Sequence, residues 1–73
     1  MFYVIEIQTT EQAGSVIPFT FTNRDAAEAK YHSLLAVAAT SLVPKHGAML
    51  FNDNAFVLKA EVYDHEQEPE PEG

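Results

Sequence analysis

The sequence predicts an α+β domain of ββαββ type, with one long helix packed on one face of a four-stranded, mostly antiparallel sheet. Residues 1–22 and 48–63 each contain two apolar segments joined by a short polar stretch, which is typical of β-hairpins. Between them, residues 24–42 have the spacing of a helix that ends before Pro44. A chain of 73 residues has room for one domain.

The first hairpin is predicted over residues 1–9 and 16–22. "MFYVIEIQT" is rich in β-branched and aromatic residues, and "VIPFTFT" alternates between apolar and polar positions. The polar residues 10–15 between them include Gly14 and are expected to form the turn. Because Pro18 cannot donate a ladder hydrogen bond, the second strand is expected at a sheet edge or a bulge.

The helix is predicted over residues 24–42. Asn23 or Thr22 is expected to cap its N-terminus, and acidic residues in the first turns suit the positive end of the helix dipole. Pro44 disfavours helical geometry at the residue before it, so the helix must end by about residue 42.

The second hairpin is predicted over residues 48–52 and 55–63, and the sequence does not fix the order of the strands. The connection "NDN", residues 52–54, is expected to place an asparagine at positive φ.

The helix is predicted to cover the sheet with one apolar stripe in the i, i+4, i+7 pattern. The stripe consists of Ala27, Tyr31, Leu34, Leu35, Ala38 and Leu42. The sheet residues expected beneath it are Ile5, Ile7, Phe19, Phe21, Phe56 and Leu58. The apolar residues expected on the other face of the sheet are Phe2, Val4, Val16, Val57 and Tyr63.

The opposite side of the helix is small and uncharged in its second half, and it predicts self-association. Small side chains let two helices approach closely, and a 73-residue domain without cysteine is marginal in stability. We therefore expect a homodimer or higher oligomer. The alternative is that these alanines only stabilise the helix, since alanine has the highest helix propensity. The residues expected at the contact are Ala29, His32, Ala36, Ala39, Thr40 and Val43.

The net charge of −7 belongs mostly to the end of the chain, since five of the eleven acids lie in residues 64–73. We expect a folded domain over residues 1–63 and an acidic Pro/Glu tail, residues 64–73, that does not pack; a docking role for a basic partner is the alternative. Four scattered Lys and Arg residues form no basic patch, which argues against nucleic-acid binding.

No catalytic, metal or cofactor site is predicted. His32, His46 and His65 lack metal-ligand spacing, the chain has no cysteine, and three glycines form no phosphate-binding loop. Glu6 and Glu61 are read as solvated surface charges rather than a carboxylate pair. The sequence has no signal-peptide pattern and no run of ~18 apolar residues, so we expect a cytoplasmic, non-enzymatic protein without membrane contact.

The segment "EAKYHSLLAVAA", with the opening "MFYVIEIQT" and the closing "KAEVYDHE", resembles a family of small phage- and prophage-encoded proteins of gut bacteria. The similarity covers residues 1 to about 66. The family has no assigned activity, so the resemblance implies only that the chain comes from a mobile element. The expected location is the cytoplasm of the bacterial host cell, with the virion as the alternative.

The function expected from these observations is that of a homo-oligomeric accessory or structural protein acting through protein–protein contacts. The alternative is a counter-defence protein that binds a host immune enzyme or sequesters a small signalling nucleotide. The basic residues available to hold an anionic ligand in that alternative are Arg24, Lys30, Lys45 and Lys59. A second protein partner is compatible with either function.

Overall fold

The computed structural model describes residues 1–65 and confirms the α+β class and the ββαββ order. The elements are β1 (Phe2–Thr9), β2 (Gly14–Phe21), α1 (Arg24–Ala39), β3 (Lys45–Asn52) and β4 (Val57–Asp64). The sheet has the order β2-β1-β3-β4, and all neighbouring strands are antiparallel. The two hairpins are therefore joined through their first strands, β1 and β3, and α1 lies across one face.

The first hairpin forms as predicted, with β2 at a sheet edge. Pro18 lies in β2 opposite Ile5 of β1, which agrees with the expectation that a proline strand is not central. The turn is closed by Thr10, whose backbone N–H donates to the Ala13 carbonyl oxygen at 2.8 Å. The Thr10 hydroxyl oxygen also accepts the backbone N–H of Ala13 at 3.2 Å, so a local side-chain bond fixes the reversal.

The helix begins at the predicted cap but ends three residues early. The Asn23 side-chain oxygen accepts the backbone N–H of Ala26 at 3.1 Å, which satisfies one of the free donors of the first turn. At the other end Thr40 has left the helix, with φ −116° and ψ 14°. Leu42, predicted in the core stripe, is therefore 98% exposed. Pro44 sets only the latest residue at which a helix can end, and here the chain turns earlier to enter β3.

Strand β3 begins at Lys45, three residues before the predicted start. Its first residues pair with both β1 and β4, so hydrogen bonding on two sides overrides the weak strand preference of "KHG". Gly47 is required at this point, because a Cβ there would clash with the Glu61 carbonyl oxygen and lie 2.6 Å from the Val62 Cα. The glycine lets β4 approach β3 closely.

The turn between β3 and β4 uses Asn52 differently from the prediction. Its side-chain oxygen accepts the backbone N–H groups of Asn54 at 2.9 Å and Phe56 at 3.1 Å. The residue with positive φ is Ala55, at 64°, and not an asparagine. Phe56, predicted in the core, belongs to this turn and is 62% exposed.

The core lies between α1 and the two central strands. Val4 and Leu50 are fully buried, and they pack with Ala48 and the helix stripe. The predicted stripe is confirmed except at Leu42. The partly buried residues around this centre are Phe2, Phe19, Phe21, Leu35 and Leu58.

Strand β1 has the opposite orientation from the prediction. Phe2 and Val4 pack in the core, so Ile5 and Ile7, which alternate with them, lie on the uncovered face. The prediction failed because β1 is apolar on both faces, and because Glu6, which has the local pattern of a solvent-facing residue, lies on the helix side.

Strand β4 departs from strict alternation because of a bulge. The pairing with β3 shifts between Leu50 and Phe51, and Leu58 and Lys59 both turn toward the helix, Leu58 to the core and Lys59 to Glu28. Beyond the bulge, Tyr63 lies opposite buried His46, so its predicted place on the other face is wrong. Bulges reorient the residues that follow them.

The folded part extends two residues beyond the predicted boundary at residue 63. Asp64 ends β4, and the backbone N–H of His65 donates to the Pro44 carbonyl oxygen at 2.6 Å. The His65 ring nitrogen Nε2 lies 2.8 Å from the Ala38 carbonyl oxygen. The remainder of the predicted tail, residues 66–73, lies outside the described residues.

Candidate functional site

Two features qualify as candidate sites, and the first is a buried polar cluster beneath the last turns of α1. The His46 Nε2 lies 2.7 Å from the Glu6 Oε2, and the Gln8 side-chain amide donates to the same oxygen at 3.1 Å. Gln8 stands directly opposite His46 across β1 and β3. Strand pairing thus places three polar side chains on the face that the helix covers.

This cluster is built for structure rather than for catalysis. A His–carboxylate pair is able to exchange a proton, but an acid–base catalyst must reach its substrate. His46 is only 3% exposed, and its Nδ1 is buried without a hydrogen-bond partner among residues 1–65. The contact with Glu6 therefore satisfies a buried polar group and joins β1 to β3.

The interpretation of Glu6 as a solvated charge is wrong, since the carboxylate is half-buried and hydrogen-bonded. Glu61 lies on the same face, but Ala48 stands between the two acids. No carboxylate pair forms there. His46 and Glu6 are 40 positions apart, and only the pairing of β1 with β3 brings them together.

Tyr31 is the buried titratable group of the helix stripe. Its removal from water raises the pKa of its hydroxyl, and the nearby Glu61 and Tyr63 raise it further. The phenol is 3% exposed. It is held in its neutral form within the core and is not poised to act as a base.

Glu28 binds two of the four basic residues that the sequence offered as contacts for an anionic ligand. Its carboxylate accepts hydrogen bonds from Arg24 Nε at 2.9 Å and Lys59 Nζ at 3.2 Å. These two bonds, Arg24 first, hold the pKa of Glu28 below its usual value. Lys30 lies over the Phe19 ring, 4.3 Å from its centroid, and Lys45 opens β3 at the other end of the domain. The four bases do not converge on a common pocket.

The predicted self-association face of the helix is exposed for most of its length. Ala29, His32, Ala36 and Ala39 are exposed, and the Glu28 carboxylate lies 4.0 Å from the His32 ring. Thr40 is exposed as the C-cap. Val43 is a correction, because it follows the helix and is half-buried in the connection to β3.

The second candidate site is the face of the sheet opposite α1, which we call the outer face. Three successive rows across the strands are almost wholly apolar, and no side chain in them is charged. Ordered β2-β1-β3-β4, the rows are Thr20, Tyr3, Phe51 and Val57; Pro18, Ile5, Met49 and Ala60; and Val16, Ile7, Gly47 and Val62. A fourth row at one end is polar, with Gly14, Thr9, Lys45 and Asp64.

The outer face remains substantially open to solvent. Val16, Val57 and Val62 are 59%, 47% and 52% exposed, and the apolar side chains of the central strands are half-buried. The charged side chains of the middle of the sheet, by contrast, lie on the helix side. This distribution is the reverse of that expected for a sheet with one solvated face, in which polar residues point outward.

The outer face has a stacked aromatic pair and a hollow. The Tyr3 and Phe51 rings stack with centroids 5.4 Å apart. Toward the polar end of the face, a shallow depression of about 280 Å³ lies among residues of β1, β3 and β4, one of which, Glu61, is charged. Its lining includes Ile7, Met49, Ala60 and Val62. Gly47 lies between Ile7 and Val62 in the register, but the space of its missing side chain is occupied by the β4 backbone at Glu61 and Val62.

Comparison with protein-family models, curated proteins and solved structures gives no significant match for this chain. Within residues 1–65, no group of three or more His, Cys, Asp or Glu side chains is placed to hold a metal ion. The described helix is too short and too polar to cross a bilayer. The outer face is consequently the candidate site on which a function can be argued.

Proposed function

We propose that this chain is a non-enzymatic, homo-oligomeric accessory protein that acts through protein–protein contacts, and that the outer face of its sheet is the contact surface. The observation that carries the proposal is the set of three uncharged rows across four strands. Contiguous apolar patches larger than a few hundred Å² on a small protein mark interaction sites.

The size of the chain supports the same conclusion. A domain of 73 residues buries only about 60–65% of the surface that its unfolded chain exposes. The chain has no cysteine for a disulfide staple. Burial of a second apolar face against a partner supplies stabilisation that the single helix-covered core lacks.

The sheet face competes with the helix face as the site of self-association. The exposed helix side carries mainly alanines with a small contact area, and Glu28 and His32 flank its first half. The outer face carries two aromatic rings, two isoleucines and a methionine in its central strands. Larger apolar side chains give more burial free energy per residue, which favours the sheet.

A phage or prophage accessory role is the biological context that we propose, and its only support is the sequence resemblance over residues 1 to about 66. The counter-defence alternative with an anionic nucleotide receives less support, because the depression lacks basic lining residues and the four bases are dispersed. A second protein partner on the outer face is compatible with the proposed function.

The proposal is tested by light scattering on matched alanine-to-glutamate variants. Ala60→Glu places an unpaired carboxylate in the middle row of the outer face, where its burial in a contact is costly. Ala36→Glu makes the same change on the exposed helix side. We expect a wild-type dimer, a monomeric Ala60→Glu variant and a dimeric Ala36→Glu variant, all with the same helical circular dichroism.

Each other outcome has a distinct meaning. If Ala36→Glu dissociates the dimer and Ala60→Glu leaves it intact, the contact lies on the helix face and not on the sheet. A wild-type protein that stays monomeric at tens of micromolar would contradict self-association altogether.

A further inference from the structure

We infer that the outer face binds a second copy of this chain face to face, with Phe51 of each copy seated in the depression between Ile7 and Val62 of the other. The inference rests on the proposed function and specifies its partner and its geometry. It is derived from the register of the four strands and from the positions of the aromatic pair and the hollow.

The aromatic pair lies on one side of the middle row, and the depression extends from Met49 and Ala60 of that row to its other side. Phe51 and Gly47 both belong to β3, two positions on either side of Met49. Tyr3 and Ile7 of β1 are likewise placed about Ile5. Residues four apart in a strand are about 13 Å apart, so the aromatic pair and the depression lie about 6–7 Å on each side of this row.

A two-fold axis across the strands, in the plane of the contact and along the middle row, exchanges these features. It places β3 of one copy over β3 of the other with reversed direction. Phe51 then lies above the partner copy's depression, between Ile7 and Val62 of that copy. Ile5 and Met49 lie near the axis and meet their own equivalents, as an isologous contact requires.

The area of the outer face is at the threshold for a biological interface. Four strands of eight residues give a face of about 26 by 19 Å at 3.3 Å per residue and 4.8 Å between strands. Two such faces, with the polar fourth row included, remove about 1,000 Å² before side-chain relief is counted, which is about the least area expected of a biological interface. Sheets packed in this way interdigitate their side chains across about 10 Å.

Other occupants of the face fit less well. Residues 66–73 have four glutamates and no apolar side chain except proline, so their composition does not suit three uncharged rows. An acidic or basic protein surface would leave its charges unpaired against the same rows. A second copy is apolar where this copy is apolar, and its polar row lies at the margin of the contact.

A volume exchange tests the geometry. Phe51→Ala removes the ring, and Ala60→Phe fills the depression from an exposed position on β4. Each change alone is expected to weaken the dimer by about tenfold or more, measured as the dissociation constant by analytical ultracentrifugation. In the double variant, the ring introduced at position 60 of one copy fills the space left by the ring removed at position 51 of the other. If the two changes acted independently, their fold increases in the dissociation constant would multiply. We expect the dissociation constant of the double variant to be at least about threefold lower than that product.

The control is Ala36→Phe, which adds the same ring to the helix side and should leave the dissociation constant within about twofold of wild type. Circular dichroism and urea midpoints establish that each variant folds. If Phe51→Ala does not fold, Phe51→Leu with Ala60→Phe provides the same comparison.

The results separate the inference from the function on which it rests. If Ala60→Glu dissociates the dimer but the losses in the double variant are additive, the two-fold arrangement is overturned. The contact through the sheet face then still stands. Absence of any dimer in the wild type overturns both. Recovery in the double variant supports both.

Discussion

Ala55 has a backbone conformation that is unfavourable for a residue with a Cβ atom. Its φ of 64° lies in the left-handed region, which costs a residue with a Cβ about 1–2 kcal/mol. The conformation is imposed by neighbouring bonds, because Asn52 accepts the backbone N–H groups of Asn54 and Phe56 and its carbonyl accepts that of Ala55 at 3.0 Å.

We predict that Ala55→Gly stabilises the protein. Glycine adopts the left-handed conformation without a steric penalty, and after its greater entropy loss on folding the net gain should be about 0.5–1 kcal/mol. The measurement is the free energy of unfolding in urea at a fixed protein concentration. Ala36→Gly is the matched control, and in an exposed helix interior it should destabilise by about 1 kcal/mol. A loss of stability at both positions would contradict the assignment of strain to Ala55.

The residue scale is also where the sequence was least informative. Glu6 has the local pattern of a solvent-facing strand residue, and its contact with His46 depends on a strand 40 positions away. Buried Ala48 of β3 is no different in its local sequence from exposed Ala60 of β4. Such assignments require knowledge of which strands pair.

At the scale of elements, the helix cap, the first-turn acid and the edge position of β2 followed from local chemistry at Asn23, Asp25 and Pro18. The orientation of β1 did not, because four consecutive apolar residues, "FYVI", satisfy either face. That ambiguity was itself a signal. A strand that is apolar on both sides is typical of a sheet covered on both sides, and the outer face of this sheet is covered by nothing else among residues 1–65.

Glu28 joins two elements, since it bonds Arg24 within α1 and Lys59 on β4. These bonds lower the pKa of Glu28 in the folded protein from 4.5. A carboxyl whose pKa is lower when folded contributes stability above its unfolded pKa, and this contribution is lost as pH falls through the folded pKa. We predict that wild type loses more stability than Glu28→Gln on acidification below pH 4.5.

The measurement compares urea midpoints at neutral pH and at steps below pH 4.5. Glu11→Gln is the control, since Glu11 is an exposed acid in the turn between β1 and β2, and it should retain the wild-type pH profile. Because the Glu28 side chain is 26% exposed and its partners more so, the difference should shrink in high salt. Parallel acid profiles for wild type and Glu28→Gln would exclude a role for this link.

For the whole molecule, the ββαββ class could be predicted because hydrophobic periodicity and turn residues are local properties. The sequence predicts the contact surface on the helix, whereas we propose it on the sheet, and the reason for the difference is physical. Helix amphipathicity is visible in one segment, whereas the outer face is assembled from four strands. Its composition depends on the orientation of β1, which is opposite to the predicted one, and on the bulge in β4.

Self-association through the outer face predicts that stability depends on protein concentration. A partner that binds only the folded chain stabilises it by about 2.7 kcal/mol when its concentration is a hundred times the dissociation constant. In a domain of this size, 1 kcal/mol shifts Tm by about 4–8 °C. We therefore expect the Tm of wild type to rise by about 10 °C or more over a hundredfold increase in concentration above the dissociation constant. Ala60→Glu should show a lower Tm that does not change with concentration, whereas Ala36→Glu should follow the wild-type slope. A concentration-independent Tm for wild type would mean that this small domain is stable with its apolar face open to water, and the argument from size to partner would fail.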